Sequence, residues 1–109
     1  MKNITVAKLD LLRQQNPDLV IIDVREPDEY AEFNMGGKLV PLGQIQNFQI
    51  DELEKYKDTE IYVHCRSGKR SVTACMFLDT FGFTKTNNIE GGITAWQDFQ
   101  KNKLNGNPQ

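Results

Sequence analysis

A cysteine at position 65 lies between a short apolar run and a helical stretch, and it is the residue of this chain best placed to act as a nucleophile. The segment that follows it, Arg66-Ser67-Gly68-Lys69-Arg70-Ser71, contains no proline. Every backbone amide of this segment can therefore donate a hydrogen bond, and Gly68 permits the left-handed turn that would direct the amides inward. We expect the loop to stabilise an anion, either a Cys65 thiolate or an anionic substrate.

The charges around Cys65 favour the same chemistry. Three of the thirteen basic residues of the chain, Arg66, Lys69 and Arg70, lie within five positions, although the net charge of the whole chain is -2. A local positive field and the amino end of a helix both stabilise a thiolate. We therefore predict that Cys65 is the catalytic nucleophile. The loop residues predicted to bind the substrate are Arg66, Ser67, Gly68, Lys69 and Arg70.

The other reactive side chains favour structural roles. His64 is the single histidine, and it neighbours Cys65 at the end of an expected strand, where adjacent side chains point to opposite faces. Cys75 is expected about five residues inside a helix, beyond comfortable disulfide reach of the loop, and is interpreted as a core residue. Asp23 and Arg25 flank a strand end, and we expect this pair to fix loops by hydrogen bonds. Two cysteines and one histidine cannot supply a usual zinc site.

Two glycines precede the last predicted helix, at Gly91 and Gly92. They would let the backbone pack closely beside the loop at Cys65, although a plain turn into the helix explains them nearly as well. Trp96 lies at helical spacing from Ile93 and is interpreted as a core residue.

Strands that alternate with helices are expected to position the loop. Short runs rich in β-branched residues at 19–22 and 61–63 are typical of strands buried in a parallel sheet, and weaker strands are expected at 39–40 and 88–89. The spacing of apolar residues, together with proline and glycine positions, predicts helices at 6–15, from Pro27 onward, in short turns within 45–56, at 70–81 and at 92–101. This alternation predicts an α/β domain with a mostly parallel central sheet, in which ligands bind beyond the carboxyl ends of the strands.

Length and composition predict one ordinary globular domain at 1–101, followed by a polar C-terminal tail at 102–109, since the 109 residues are 39% hydrophobic and 26% charged. The longest apolar run is too short to cross a bilayer, and the first residues lack the apolar core of a signal peptide. The slightly negative net charge gives no general attraction to nucleic acid or to anionic lipid. We therefore expect a cytoplasmic protein with free thiols that binds neither nucleic acid nor membrane.

Three segments, in order along the chain, resemble the signatures of the rhodanese-like family of sulfurtransferases. They are Ile21–Tyr30, Cys65–Ser71 and Ile89–Trp96, and the resemblance covers nearly the whole chain. It implies a five-stranded, mostly parallel sheet with helices on both faces, a persulfide carried by Cys65 between two half-reactions, and no cofactor. Many members have His-Ile-Pro-Gly-Ala where this chain has Asn34-Met35-Gly36-Gly37-Lys38. We therefore expect the substrate-recognition surface to differ from theirs and its rim to be more polar.

The resemblance implies transfer of a sulfane sulfur from a small anionic donor, such as thiosulfate, to an acceptor: a thiol, cyanide or a protein sulfur acceptor. Two other functions stay open. The protein could be a sulfur-relay or binding module that acts with a partner protein. It could also be a cysteine phosphatase or an arsenate reductase, although related phosphatases space cysteine and arginine as C-x5-R, whereas Cys65 and Arg70 are spaced C-x4-R. The shorter loop should form a tighter ring of amides, which suits one sulfur atom better than a phosphate.

Overall fold

The computed structural model describes residues 1–104, and within them five strands form a single sheet in the order β1-β5-β4-β2-β3. The strands are β1 (Lys2–Ile4), β2 (Val20–Asp23), β3 (Lys38–Leu39), β4 (Ile61–His64) and β5 (Thr86–Ile89). Each neighbouring pair runs parallel. The expected α/β fold with a parallel five-stranded sheet is therefore confirmed. The pattern of apolar residues did not indicate β1, which has no buried side chain.

Over residues 1–104, the sheet is accompanied by five α-helices and one 3-10 helix. They are α1 (Val6–Gln15), α2 (Pro27–Glu32), α3 (Leu42–Gln46), the 3-10 helix Asp51–Tyr56, α4 (Lys69–Thr80) and α5 (Gly92–Leu104). The helix α1 has the predicted bounds, and α4 begins and ends one residue before the predicted range. Among the described helices, none is both long enough and apolar enough to cross a membrane.

The helix α5 continues three residues past its predicted end, so positions 102–104 are helical although they were expected to belong to the tail. Lys103 in this extension has a partner on α1, because its Nζ donates to Asp10 Oδ2 at 3.0 Å. The same ammonium lies 5.5 Å from the centre of the Phe99 ring. The first of these contacts joins the last turn of α5 to α1, and the second lies within α5. The remainder of the predicted tail, 105–109, lies outside the described residues.

Two apolar cores lie on opposite faces of the sheet. Because successive side chains of a strand point to opposite faces, Ile21 and Tyr62 belong to one core, and Ile22 and Val63 belong to the other. The helices α1 and α5 cover the first core, whereas α3 and α4 cover the second. The helices on both faces therefore shield a sheet whose strands β2 and β4 are apolar on both sides.

The helix α4 buries one side against the sheet. Ala74, Cys75 and Leu78 are fully buried in the core, at spacings that bring them to one side of the helix. Met76 points away from this side and is 61% exposed. The buried side anchors α4 to the sheet and thereby fixes the position of its amino end, where the loop from Cys65 arrives.

The loops that follow β2, β4 and β5 lie side by side at the carboxyl edge of the sheet. Asp23 is in register with His64, and Val63 is in register with Asn88. The amide of Val24 donates to the carbonyl of His64 at 3.0 Å, which extends the pairing past the end of the strands. Residues from these three loops can therefore reach Cys65, which directly follows β4.

Candidate active site

Cys65 lies one residue beyond β4, and its side chain sits inside the turn of the loop that leads to α4. The thiol Sγ accepts a hydrogen bond from the amide of Gly68 at 3.1 Å, and the residue is only 1% exposed. Gly68 has a φ of 111°, in the left-handed region that favours glycine, and α4 begins at the next residue. The loop thus wraps around the sulfur just before the helix begins, as its sequence predicted.

The pKa of the Cys65 thiol lies below its ordinary value. Burial is the largest single influence and acts to raise that pKa. Hydrogen bonds from the Ser71 side chain and from the amides of Ser71, Gly68 and Ser67 act in the opposite direction, and together they outweigh burial. The loop therefore enlarges the thiolate fraction at neutral pH, which makes Cys65 a stronger candidate for nucleophilic attack.

Ser71 is a residue of the site that was not among the predicted substrate-binding residues. Its hydroxyl lies 3.5 Å from Cys65 Sγ and 3.2 Å from the carbonyl oxygen of Gly68, and its side chain is fully buried. The signal in the sequence is its position in the first turn of the helix that follows the cysteine loop. A short hydroxyl side chain at that position can turn back toward the loop.

The predicted cation Arg70 is held by a carboxylate. Its two terminal nitrogens donate to Glu29 Oε1 at 2.7 Å and to Glu29 Oε2 at 2.8 Å. This bidentate hydrogen bonding holds the pKa of Glu29 down at about 2. The pair joins α2 to the amino end of α4. The Glu29 carboxylate consequently balances much of the positive charge of Arg70.

The side chains of Arg66, Ser67 and Lys69 are exposed and form no hydrogen bond with any other described residue. Among them, Arg66 lines a cavity of about 380 Å³ beside the loop. The other residues that line this cavity are Arg25, Glu29, Glu32, Phe33, Ile93, Thr94 and Gln97. The structure therefore brings the backbone of the predicted loop to the sulfur, and it leaves the basic side chains of Arg66 and Lys69 free at the rim.

The paired glycines at 91 and 92 bring a second loop against the backbone of the first. The amide of Ile93 donates to the carbonyl of Cys65 at 2.8 Å, and the amide of Thr94 donates to the carbonyl of Arg66 at 3.2 Å. Gly92 has a φ of 56°, and a Cβ atom there would overlap the carbonyl oxygen of Cys65. The close packing that the glycines allow is therefore present, and it fixes the backbone that carries the thiol.

Asp23 and Arg25 form a buried ion pair that fastens neighbouring loops, as the sequence predicted. Arg25 Nη2 lies 2.8 Å from Asp23 Oδ2 and also donates to the carbonyl of Phe33 at 2.7 Å. Arg25 Nε donates to Asp23 Oδ1 at 3.0 Å. The pair thus ties the end of β2 to the segment that follows α2, and both side chains are occupied by these contacts.

His64 is fully buried beneath the loop. Its Nδ1 lies 3.3 Å from the carbonyl oxygen of Cys65, and its Nε2 lies 3.6 Å from Asp23 Oδ2 without forming a hydrogen bond. Burial lowers the pKa of this imidazole, and the nearby Asp23 carboxylate acts against that effect. The ring lies under the backbone at Cys65, a position that agrees with the structural role predicted for it.

The segment Asn34-Met35-Gly36-Gly37-Lys38 is a turn stabilised by local contacts. The Asn34 side chain donates to the carbonyl of Tyr30 at 3.1 Å and accepts from the amide of Gly36 at 2.9 Å. Lys38 Nζ lies 3.4 Å from Glu52 Oε2. Gly36 and Lys38 line a second cavity of about 220 Å³, separate from the one beside Arg66. The polar residues of the turn therefore have local partners of their own.

Comparison with known proteins agrees with this architecture. A sequence profile described as "Rhodanese-like domain" matches residues 5–99. A protein of Bacillus subtilis strain 168 with a provisional sulfurtransferase name is 38% identical over 104 residues, which cover 94% of this chain and 97% of that protein. A protein of Pseudoalteromonas translucida named thiosulfate sulfurtransferase GlpE is 31% identical over 105 residues, which cover 94% of this chain and 95% of that protein.

A solved structure gives the same result for the fold. The crystal structure of a rhodanese-like domain protein from Staphylococcus aureus matches with a TM-score of 0.75 and 32% identity, covering 88% of this chain and 91% of that one. The sulfurtransferase names of the two sequence relatives support a transferase that handles sulfur. Since the profile spans most of the chain and these relatives match over nearly their full length, the chain belongs to the rhodanese-like domain family.

Proposed function

We propose that the protein is a sulfurtransferase that moves a sulfane sulfur from a small anionic donor, such as thiosulfate, to a thiophilic acceptor through a persulfide on Cys65. The observation that carries this proposal is the Cys65 sulfur, which is enclosed by hydrogen-bond donors of one short loop and has a lowered pKa. The name of the Pseudoalteromonas translucida relative supports thiosulfate as the donor. The sulfurtransferase name of the Bacillus subtilis relative supports the reaction class.

In the first half-reaction, the Cys65 thiolate attacks the outer sulfur of thiosulfate. A bond forms between Sγ and that sulfur, and the bond between the two sulfur atoms of thiosulfate breaks. Sulfite leaves with the electron pair, so the negative charge of the thiolate passes to the outer sulfur of the new persulfide. The amides of Ser67, Gly68 and Ser71 are positioned to stabilise negative charge on sulfur without rearrangement of the backbone.

In the second half-reaction, the acceptor attacks the outer sulfur of the persulfide. The bond between that sulfur and Sγ breaks, and Cys65 leaves as a thiolate. The acceptor could be cyanide, a small thiol or a thiol of a protein. Because the thiolate is nucleophile in one step and leaving group in the other, the site needs stabilisation of an anion more than it needs a general base. This requirement agrees with the buried, structural position of His64.

The basic residues at the rim are assigned to donor binding. Arg66 and Lys69 are exposed beside the loop and would attract a dianionic donor such as thiosulfate. Arg70 contributes less free charge, because Glu29 accepts two of its hydrogen bonds. We therefore assign Cys65 as the nucleophile, Ser67 and Gly68 as backbone donors, and the three basic side chains as the source of positive potential, with Arg66 foremost.

Mass spectrometry of the purified protein, before and after treatment with thiosulfate, tests this function. We expect a gain of one sulfur atom located on Cys65, and loss of that sulfur on addition of cyanide with formation of thiocyanate. Cys75→Ser serves as the matched control, because Cys75 is buried inside α4 and should not affect the gain. A protein that stays unmodified by thiosulfate would contradict the proposal.

A second assay separates sulfur transfer from phosphate chemistry. The six residues from Cys65 to Arg70 form a loop one residue shorter than a C-x5-R loop, so we expect negligible hydrolysis of an aryl phosphate. Insertion of one glycine after Gly68 should enlarge the ring and weaken persulfide formation. Efficient hydrolysis of the aryl phosphate by the unmodified protein would favour a phosphatase instead.

A further inference from the structure

Behind Cys65, a chain of polar side chains connects the sulfur to the edge strand of the sheet. The hydroxyl of Ser71 lies 3.5 Å from Cys65 Sγ and donates to Asn88 Oδ1 of β5 at 2.5 Å. The Nδ2 of Asn88 in turn donates to Asn3 Oδ1 of β1 at 3.1 Å. Ser71 is fully buried and Asn88 is 4% exposed, so these groups depend on one another for hydrogen bonds. The polar chain is closed to water at its inner end.

The single proton of the Ser71 hydroxyl cannot satisfy every acceptor around it. While Cys65 is a thiol, the S–H group can donate to Ser71 Oγ, and the hydroxyl can donate to Asn88 Oδ1. Once Cys65 is a thiolate, its sulfur has no proton to donate to Ser71 and becomes a stronger acceptor. If the hydroxyl then turns toward the sulfur, the buried Asn88 Oδ1 loses that donor, which costs free energy. The sulfur, the amide oxygen of Asn88 and the carbonyl oxygen of Gly68 therefore compete for one proton, and Asn88 Oδ1 is the nearest of the three to the hydroxyl.

We propose that Asn88 is a positioning residue that acts on Cys65 through Ser71: its amide oxygen holds the hydroxyl proton while Cys65 is a thiol, and it yields that hydrogen bond to the sulfur whenever the thiolate is present. The hydroxyl rotates and no covalent bond changes in this exchange. The inference deepens the proposed function and rests on it, because the thiolate appears as nucleophile and as leaving group in the proposed transfer. Asn88 thereby sets how readily Cys65 changes between its two forms.

The proposal makes opposite predictions for two substitutions. Asn88→Leu removes the competing acceptor with little change in volume, so the hydroxyl is freer to donate to the thiolate and Cys65 should ionise at lower pH. Ser71→Ala removes the donor itself, so Cys65 should ionise at higher pH. In the Ser71→Ala background, Asn88 has lost its connection to the sulfur. Addition of Asn88→Leu to that variant should therefore have no further effect.

The experiment is the pH dependence of Cys65 alkylation by iodoacetamide, measured by peptide mass spectrometry in the wild type, the two single variants and the double variant. We expect Asn88→Leu to lower the midpoint by about half to one pH unit and Ser71→Ala to raise it by a similar amount. The double variant should match Ser71→Ala. This coupling separates positioning through Ser71 from a general effect on the fold.

The charged and titratable groups that face Cys65 are unchanged in all of these proteins. They are Arg70 of α4 with its partner Glu29 of α2, and His64 at the end of β4, and the exposed Arg66 and Lys69 nearby in the chain are unchanged as well. A difference between the midpoints can therefore be assigned to the altered side chains. It does not arise from removal of a formal charge.

Asn87 supplies a matched control on the same strand. It is 3% exposed, close to the exposure of Asn88, and its Nδ2 donates to Glu60 Oε1 at 2.9 Å and to the carbonyl of Ile61 at 3.1 Å. Asn87→Leu should leave the midpoint of Cys65 unchanged, because these contacts do not reach the sulfur. Asn88→Ala gives a second test if Asn88→Leu does not fold, and it should shift the midpoint in the same downward direction.

Two results would overturn the proposal. One is an unchanged or raised midpoint in folded Asn88→Leu or Asn88→Ala protein. The other is an equal shift with and without the Ser71 hydroxyl. Failure of the proposed function would look different, since alkylation reports on the thiol itself. A protein that forms no persulfide with thiosulfate, yet shows the coupling between Asn88 and Ser71, would disprove the sulfur-transfer proposal and retain the positioning role.

Discussion

The two cysteines lie ten residues apart and are both almost inaccessible to solvent, yet their environments shift the thiol pKa in opposite directions. Cys65 is 1% exposed and its pKa is lowered, whereas Cys75 is fully buried and its pKa is raised to about 12. Burial raises the pKa at both positions, since a thiolate is poorly stabilised in an apolar surrounding. The difference comes from what surrounds each sulfur: several hydrogen-bond donors lower the pKa at Cys65, whereas Cys75 has fewer donors and a nearby carboxylate.

The position of each cysteine relative to α4 explains this difference. Cys65 precedes the helix, where the first amides have no helical acceptor and can donate to the sulfur. Cys75 lies in the middle of the helix, where the amides are consumed by bonds to the preceding turn. The carboxylate of Asp79 raises the pKa of Cys75 further, and a side-chain hydrogen bond with Thr86 offsets only part of this. Access to unpaired amides, rather than burial, thus decides which thiol is reactive.

The largest expected effect separates the two cysteines by activity. Cys65→Ser should reduce thiosulfate-to-cyanide sulfur transfer by about 1,000-fold or more, because the covalent path is lost. Cys75→Ser should change the rate by less than about threefold, since it acts only through packing. Formation of thiocyanate measures both rates, and circular dichroism checks the fold. Appreciable turnover by folded Cys65→Ser protein would contradict the assignment of Cys65 as the nucleophile.

The second prediction concerns the thiols of the native protein. At pH 7 to 8, iodoacetamide should modify Cys65 at least about 100-fold faster than Cys75, because the pKa of Cys65 is lowered and that of Cys75 is raised, so Cys65 has the larger thiolate fraction. Peptide mass spectrometry assigns the site of alkylation. In denaturant the two thiols should react at similar rates, which serves as the control. Faster native modification of Cys75 would show that the roles of the two cysteines are reversed.

The third prediction concerns a substitution that disturbs the loop at Cys65 and leaves the middle of α4 intact. Gly92→Ala should destabilise the protein by about 2 kcal/mol, because Gly92 has a positive φ and an added methyl group would overlap the carbonyl of Cys65. Sulfur transfer should fall as well, since the loop backbone must move. Urea denaturation measures the change in the free energy of unfolding.

Gly43→Ala is the control for that substitution. Gly43 lies in α3, and a Cβ atom there would have no neighbour within 4 Å. Its replacement should change the free energy of unfolding by no more than about 1 kcal/mol, in the stabilising direction. Equal effects of the two substitutions would show that the close approach of Gly92 to the loop has no energetic importance.

The loop at Cys65 was predictable because its determinants are local in sequence. A strand, a cysteine, a permissive glycine and a helix follow one another, and this order already fixes where the backbone amides point. The strand β1 was not predictable in this way, since Lys2–Ile4 has no buried residue and depends on pairing with β5. The strand β5 is polar in sequence yet fully buried, because its asparagines find partners elsewhere in the fold.

Contacts between distant positions account for what the sequence pattern did not indicate at the site. Ser71 and Asn88 are 17 positions apart and meet only because α4 packs over β5. Arg70 and Glu29 are 41 positions apart. The charge of Arg70 was therefore expected to face the substrate, and its bidentate contact with a carboxylate could not be inferred from a local count of basic residues.

The smallest expected effect comes from the ion pair between Glu29 and Arg70, and it is a dependence of the free energy of unfolding on pH. Arg70 lowers the pKa of Glu29 from 4.5 to about 2 in the folded protein. The ionised form is thus favoured by folding, so the pair stabilises the protein above pH 4.5, and this contribution is lost as the pH falls from 4.5 toward 2. Because both side chains are partly exposed, we expect a contribution of at most about 1 kcal/mol.

Glu29→Gln tests this assignment and extends the comparison between the two cysteines. Urea denaturation at pH 7 and at pH 3 should show a smaller loss of stability for the variant than for the wild type. Glu32→Gln, an exposed substitution on the same helix, should lose stability as the wild type does. Glu29→Gln also removes the carboxylate that balances the charge of Arg70. This change should lower the alkylation midpoint of Cys65 by a few tenths of a pH unit, while Cys75 stays unreactive. An unchanged Cys65 midpoint would mean that the hydrogen-bond donors around Cys65, without a contribution from the charge of Arg70, distinguish the two thiols.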